Sequence, residues 1–302
     1  MADPIAFIGL GLMGSRMSGH LLAAGHDVRG YDPDRGRLDE LEASGGVATA
    51  SPADAVHGCW AAVLSLPTSD VSREVCLGEN GIATAGVSAL HVYDTTTGRP
   101  ADAVEIAAAL DQVGVVYSDT TVSGNSEVAE KGELVVMLGG SEEAFLLGRP
   151  IFEAIGRSHH HVGPVGSASR MKLIVNHALT VHRLALAEAL VVAELAGMDL
   201  DTALGVLRDS LAYSKAMDVW GDRMVAGDHE FPYSRLRQSH KDARLIVEHG
   251  RELGATMDLA RVAEEALAEG EGTGLADKDN SAVMEVVRRR AGIGRNQTAG
   301  PA

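Results

Sequence analysis

Gly166 and Gly197 bracket thirty residues that contain neither Gly nor Pro, in a chain of 302 residues that carries 35 glycines. At about 1.5 Å per residue, a continuous helix over that stretch is roughly 45 Å long. Gly197 stands where a left-handed C-terminal cap would close it. Lys172, Asn176, Thr180 and Arg183 recur at spacings of four, four and three, drawing one polar stripe along the first half. From Leu184 to Ala196 only Glu188 and Glu194 interrupt an apolar run, so the second half is expected to be buried on most sides. Such a helix reads as a strut between two units. Chemistry is expected where its polar stripe meets the N-terminal unit.

The length suits two domains and a sizeable core. A formal net charge of −16 argues against a nucleic-acid footprint, which would be basic. An anionic substrate would then need a local cation. Cys59 and Cys76 are the only cysteines, so there is no disulfide framework and no zinc spacing. No apolar run reaches the roughly eighteen residues that a membrane span needs. The short run from Ile5 lacks the basic and apolar regions of a signal peptide. The expectation is a cytoplasmic protein without membrane or nucleic-acid partners.

Ile5 to Ile8 reads as a strand, and Gly9-Leu10-Gly11-Leu12-Met13-Gly14 follows at once, with helical spacing through Met17, Leu21 and Leu22. This is G-x-G-x-x-G in its strand–turn–helix setting. Gly9 allows the tight turn, Gly11 lets backbone approach a pyrophosphate, and Gly14 lets helix pack on strand, with the phosphates at the helix N-terminus. The run His26 to Tyr31 reads as the second strand. Asp32 falls eighteen residues after Gly14, near the distance expected of a ribose-binding acid. A carboxylate there favours NAD. Arg35 and Arg37 lie just beyond, where arginines can hold a 2′-phosphate, so NADP stays open.

Further strands are read at Ala61 to Leu66, Ala89 to Tyr93 and Val113 to Tyr117, and a strand-like run at Leu134 to Met137. Leu66-Pro67-Thr68 and Asp94-Thr95-Thr96-Thr97 fall where open α/β sheets bind ligands, although N-capping accounts for any single Asp or Thr equally well. Ser123-Gly124-Asn125 is a polar turn able to offer N–H groups and a hydroxyl to a carboxylate, or simply a surface turn.

Taken in order, these segments resemble the β-hydroxyacid dehydrogenase family, which includes 3-hydroxyisobutyrate dehydrogenases and tartronate semialdehyde reductases. The series runs from Gly9–Gly14 with Met17 through Leu66-Pro67, Asp94 to Thr97, and Val122-Ser123-Gly124 with Gly132 and Gly139-Gly140. It continues through Gly163 to Gly166, Lys172 with Asn176, Lys241-Asp242, and Gly272-Thr273-Gly274 with Asp279 and Ser281.

The resemblance implies NAD(P)-dependent interconversion of a small 3-hydroxy carboxylic acid and its semialdehyde. It implies Lys172 as general acid/base and Asn176 as a residue that orients substrate. Ser123, Gly124 and Asn125 become the carboxylate cradle, and Lys241 touches substrate or closes the site over the cofactor. Leu66, Pro67 and Thr97 would line the nicotinamide side, and Gly9, Gly11, Leu12, Met13, Gly14 and Asp32 would bind the rest of the dinucleotide.

The chemistry is sound on its own terms: hydride leaving carbon makes the hydroxyl a proton donor to a base within reach. A lysine serves when burial or nearby positive charge brings its pKa toward neutrality. Three positions depart from the family pattern. Asn125 stands where a second glycine is usual, and Asn tolerates positive φ; its side chain would still add polar surface near the substrate. Ala168 replaces a common glycine, and His177 follows Asn176; a packed histidine is the plainer reading there.

The expected fold is a Rossmann-type doubly wound sheet over 1–163, joined by the long helix 167–196 to an all-helical remainder within 164–302. Helices are read at Leu200 to Leu211, Ser214 to Val225, Ser234 to Gly254 and Met257 to Glu269. The apolar half of the strut asks for more cover than one small domain supplies, so a homodimer or homotetramer through the helical domain is expected. His159-His160-His161 is not read as a metal site, because neighbours on a strand face opposite ways. Arg288 to Arg290 reads as a basic helix end before a frayed tail from Gly292 to Ala302. Asn296-Gln297-Thr298 matches a glycosylation site without a secretory setting. An imine reductase, or a dinucleotide-binding regulator without turnover, are the other readings; Lys172 speaks against both.

Overall fold

The computed structural model describes residues 4–294; the sequon at Asn296 and the tail from residue 295 lie outside the described residues. The strands are β1 Ile5–Ile8, β2 Val28–Tyr31, β3 Val47–Ala48, β4 Ala61–Leu64, β5 His91–Asp94, β6 Val116–Asp119, β7 Val122–Ser123, β8 Leu134–Gly139 and β9 Gly156–Gly163. Among them run α1 Gly14–Ala23, α2 Arg35–Ala43, α3 Pro52–Val56, α4 Ser69–Leu77, α5 Pro100–Asp111, α6 Ser126–Glu130 and α7 Glu142–Ile155. The helices α8 Ser167–Leu195, α9 Leu200–Asp209, α10 Lys215–Ala226, α11 Leu236–Glu252, α12 Asp258–Gly270 and α13 Val283–Arg290 follow.

The strands form one sheet in the order β3-β2-β1-β4-β5-β6-β8-β7, with β9 also beside β8. From β3 to β6 all pairs are parallel, the doubly wound order expected from the glycine motif. β8 runs antiparallel to β6 and β7 and parallel to β9. Every residue of β1 is at most 1% exposed, as a central parallel strand with helices over both faces must be. Two apolar clusters follow, one around Phe7, Tyr93 and Phe152, the other around Ile8, Leu64 and Ile106.

Sequence reading did not anticipate α7, whose interior holds Pro150. That proline is exposed, and the Leu146 carbonyl whose helical partner it removes lies on an exposed residue that solvent reaches. The strand expected at Val113 to Tyr117 begins three residues later, because Gly114 turns the chain at φ 74°.

The compact units of the chain divide inside α8, Leu173 closing the first and Ile174 opening the second. Gly197 takes φ 69° after α8, and the Met198 N–H reaches back to the Ala193 carbonyl, the expected left-handed cap. Beyond α8 the described residues form helices and no strand. The second unit has its own core, in which Leu186, Leu190 and Val191 of α8 pack with Trp220, Met224, Leu236 and Leu267. In the apolar half of α8, Leu184, Leu186, Ala187, Leu190, Val191 and Ala193 are buried, whereas Val192 is 65% and Leu195 61% exposed.

Candidate active site

The glycine turn between β1 and α1 is shaped for backbone approach. Gly9 has φ 92°, and a Cβ on it would sit 2.3 Å from the Ser65 carbonyl oxygen. A Cβ on Gly14 would lie 1.9 Å from the Gly9 oxygen, so helix and strand meet there only through glycine. Gly11 differs. A Cβ there would find only Arg37 Nη1, at 3.7 Å, which leaves room for a ligand rather than for packing. Leu12 is exposed, and Met13, at the N-cap of α1, makes no side-chain cap. No side chain caps the first N–H groups of α1, although the Ser15 N–H already donates to the Gly11 carbonyl at 3.0 Å, which leaves the others of the first turn for a phosphate. These residues fit a dinucleotide.

Asp32, at the carboxyl end of β2, is 3% exposed. Its Oδ2 accepts the Leu10 N–H at 2.7 Å and its Oδ1 the Asp34 N–H at 2.9 Å, which ties the acid to the glycine turn. Arg37 Nη1 lies 3.2 Å from Asp32 and its Nε 3.5 Å from Asp34. Arg35 pairs with Asp39 and Glu42, both at 2.9 Å. Both arginines left open by the sequence thus face carboxylates.

Leu66 and Pro67 follow β4, and Thr97 follows the neighbouring β5. The Thr96 hydroxyl accepts the Leu66 N–H at 3.1 Å, joining the two loops, and the Thr95 hydroxyl donates to the Leu64 carbonyl at 2.7 Å. Asp94 accepts the Thr96 N–H at 2.9 Å and the Tyr117 hydroxyl at 2.8 Å. Burial pushes its carboxyl above the usual range, against those hydrogen bonds. Asp94, Thr95 and Thr96 hold the loop's shape, while Thr97 is only half buried.

Ser123 ends β7, and Gly124 takes φ 145° where a Cβ would meet Leu134 Cδ2 at 2.6 Å. Asn125 has φ −99°, so its tolerance of positive φ is not needed. Its Oδ1 accepts the Val128 N–H at 3.0 Å and caps α6. The extra polar surface expected of this side chain is spent, on that oxygen, inside the protein.

The start of α8 is held by a residue that sequence reading passed over. Asp119, at the end of β6 and 2% exposed, accepts the Gly166 and Ser169 N–H groups, each at 2.7 Å. The Thr121 hydroxyl donates to the Ala168 carbonyl at 3.0 Å. Burial raises the Asp119 carboxyl, and the two backbone N–H groups pull it back. No local pattern signals this, since the partners lie 47 and 50 residues away. One turn beyond Ser169 comes Lys172. Lys172, Asn176, Thr180 and Arg183 are all buried, at 9, 9, 8 and 2% exposure, so the polar stripe read from their spacing is turned away from solvent.

In the second unit, Asn176 Nδ2 donates to Asp242 Oδ2 at 2.9 Å, and Lys241 Nζ lies 3.0 Å from Asp242 Oδ1. An ionised carboxylate only accepts, so Asn176 turns its NH2 to Asp242 and leaves its oxygen for another donor. Asp242 entered the sequence reading only as part of a motif; its link to Asn176 spans 66 residues. Asp279 and Ser281 prove structural: Asp279 accepts the Ser281 and Tyr233 N–H groups at 2.9 Å, and Ser281 Oγ meets His229 Nδ1 at 2.8 Å. His177 is half buried. His159, His160 and His161 lie on β9, where His161 Nε2 donates to the Gly140 carbonyl at 2.8 Å. Among the described residues no three His, Cys, Asp or Glu side chains gather as a metal site.

Comparison with known proteins covers both units. Residues 4–163 match the NAD binding domain of 6-phosphogluconate dehydrogenase, and residues 166–287 the NAD-binding region of NADP-dependent 3-hydroxyisobutyrate dehydrogenase. The chain is 30% identical to a 3-sulfolactaldehyde reductase of Escherichia coli K12 over 96% of its own length and 97% of the relative's. It is 29% identical to a 2-(hydroxymethyl)glutarate dehydrogenase of Eubacterium barkeri, over 96% of each. The crystal structure of a 3-hydroxyisobutyrate dehydrogenase from Salmonella typhimurium superposes with a TM-score of 0.86 at 29% identity, covering 94% of this chain and 99% of that one. An imine reductase from Pseudomonas sp. shares the fold alone, at 17% identity and a TM-score of 0.65.

Proposed function

The chain belongs to the β-hydroxyacid dehydrogenase family of NAD(P)-dependent oxidoreductases, which interconvert small 3-hydroxy acids and semialdehydes, and from that premise we propose how its own residues divide the work. When bound, the nicotinamide supplies the hydride acceptor or donor. Lys172 Nζ takes the hydroxyl proton as hydride departs, and returns it in reduction. Ser123, Gly124 and Asn125 cradle the substrate carboxylate through N–H groups and the Ser123 hydroxyl. Asn176 orients the reacting oxygen, and Lys241 meets substrate or cofactor. Gly9, Gly11, Leu12, Met13 and Gly14 take the pyrophosphate, with Leu66, Pro67 and Thr97 beside the nicotinamide. The observation that carries this reading is the burial of Lys172 and Asn176 one turn apart on α8.

The substrate is a short 3-hydroxy acid. NAD reduction would be followed across 3-hydroxyisobutyrate, glycerate, threonate, 3-hydroxypropionate, 4-hydroxybutyrate and 2-(hydroxymethyl)glutarate. One 3-hydroxy acid turned over well above the rest supports the assignment, and a preference for 4-hydroxybutyrate would contradict it. Silence from all of them, with NAD still bound, would contradict it.

NAD is the proposed cofactor over NADP, with the buried Asp32 on the adenosine ribose and Arg35 and Arg37 held by acids. Replacing Asp32 by Ser should lower kcat/KM for NAD at least about tenfold and narrow its margin over NADP. Comparable efficiency of the wild-type enzyme with both cofactors would refute that role.

The domain boundary is proposed between 163 and 164; in support, the two matched regions end at 163 and begin at 166, while the compact units part ten residues later, inside α8. The enzyme is proposed to work in the cytoplasm; no helix of the described residues is long and apolar enough to cross a membrane. It is proposed to be a homodimer or homotetramer through the helical domain, because Val192, Leu195 and Met198 stand 65, 61 and 56% exposed. Light scattering at micromolar concentration should give a multiple of the chain mass, and Val192→Glu with Leu195→Glu should give the monomer. A monomeric wild type would end the proposal.

A further inference from the structure

The roles above leave the Tyr117 hydroxyl unused. Tyr117 lies on β6 and is 5% exposed, with its ring packed in the apolar cluster around Ile8, Leu64 and Ile106. Its hydroxyl donates to Asp94 Oδ2 at 2.8 Å. Burial and the Asp94 charge hold that hydroxyl well above its usual range, so it stays a donor.

Asp94 gathers further donors. The Thr96 N–H reaches its Oδ1 at 2.9 Å, and the Thr96 and Ser72 hydroxyls bond to it as well. The Thr96 oxygen in turn accepts the Leu66 N–H at 3.1 Å. A hydroxyl donates one bond while accepting another, so the chain has one direction: Leu66 to Thr96, Thr96 to Asp94, with Tyr117 closing it from β6. It joins the loop after β4 to the loop after β5 and anchors both on the next strand of the sheet. Asp94 is 3% and Thr96 7% exposed, so water competes little for these bonds. Without the Tyr117 hydroxyl the buried carboxylate is short of one donor, and it recovers by turning from Thr96 or taking up a proton. Either change loosens its hold on Thr96, and with it the link to Leu66.

We propose that Tyr117 is a positioning residue for hydride transfer: through Asp94 and Thr96, its hydroxyl locks the Leu66-Pro67 and Thr97 loops in the arrangement that aims the nicotinamide ring. This rests on the reading of Leu66, Pro67 and Thr97 as the nicotinamide side of the site. The pyrophosphate and ribose are assigned to other residues, Gly9 to Gly14 and Asp32. Loss of the lock therefore costs hydride rate rather than cofactor affinity.

The test is single-turnover reduction of NAD by the full-length enzyme, with 3-hydroxyisobutyrate or whichever acid of the panel outpaces it, beside isothermal titration with NAD. Tyr117→Phe keeps the ring and should slow hydride transfer about tenfold, with NAD affinity and the KM of the acid within about threefold of wild type. Thr96→Val cuts the same chain and should slow the step to a similar degree. The double variant should be no more than about threefold slower than the slower single. An unchanged hydride rate in Tyr117→Phe, an equal loss of NAD affinity, or a double variant slowed by the product of the two singles would each overturn the proposal. If Tyr117→Phe does not fold, Thr96→Val carries the same comparison of rate against affinity. Leu66→Ala tests the underlying reading. A wild-type hydride rate in that variant would sink the loop's place beside the nicotinamide, and the proposal with it. A slowed Leu66→Ala beside an unaffected Tyr117→Phe would sink only the role of Tyr117.

Discussion

Replacing Lys172 by Ala should lower kcat by about a thousandfold, the scale of a positioned general acid or base, and leave the affinity for NAD within about twofold. The two effects separate because the dinucleotide cradle, Gly9 to Gly14 with Asp32, is built on β1, α1 and β2, whereas Lys172 sits on α8. A buried lysine that merely packed would cost stability when truncated and would not silence chemistry in the folded protein. Isothermal titration with NAD beside steady-state kinetics distinguishes the outcomes. Turnover by the Ala variant at the wild-type rate would remove Lys172 from the mechanism.

Asp119→Ala should act on both stability and rate. It leaves the Gly166 and Ser169 N–H groups, now bonded at 2.7 Å to one buried carboxylate, without their acceptor. Each unmade buried hydrogen bond costs about 1–3 kcal/mol, so a loss of about 2–6 kcal/mol is expected in urea unfolding. Freeing the first turn of α8 also loosens the turn that carries Lys172, and kcat should fall at least about tenfold. A variant with wild-type stability and rate would show that α8 is held by something else. The signature differs from that of Lys172→Ala, which should lose rate with little change in unfolding midpoint.

What could be read without coordinates follows from how local each signal is. The glycine turn, its strand and its helix are contiguous, so their geometry was legible in a short stretch of sequence: Gly9 makes the tight turn and Gly14 the close helix–strand contact expected of them, and Gly11 leaves open space. The long helix was legible because its ends are glycines and its polar residues share a periodicity. The burial of that stripe is a finding of the structure, since spacing groups the residues on one face without saying what that face meets. The roles of Asp119 and Asp242 were not legible because their partners are far along the chain, and Asp and Asn carry no long-range mark. Pro150 hid α7, since a proline reads as a break unless its exposed position is known. Asn125 was read for its backbone tolerance, yet it serves as a side-chain cap. The apolar half of α8 was ambiguous in another way. With apolar residues on nearly all sides, the pattern does not say which face the chain covers and which it leaves exposed.

The central claim is that hydride passes between the carbon bearing the substrate hydroxyl and the nicotinamide while Lys172 handles the proton. The most direct measurement uses 3-hydroxyisobutyrate, or the preferred acid of the panel, deuterated at that carbon, with mass spectrometry of the recovered cofactor. The expected result is reduced NAD carrying the deuterium from the wild-type enzyme and almost none from Lys172→Ala. Reduced cofactor without the label, or equal labelling by the variant, would contradict the account.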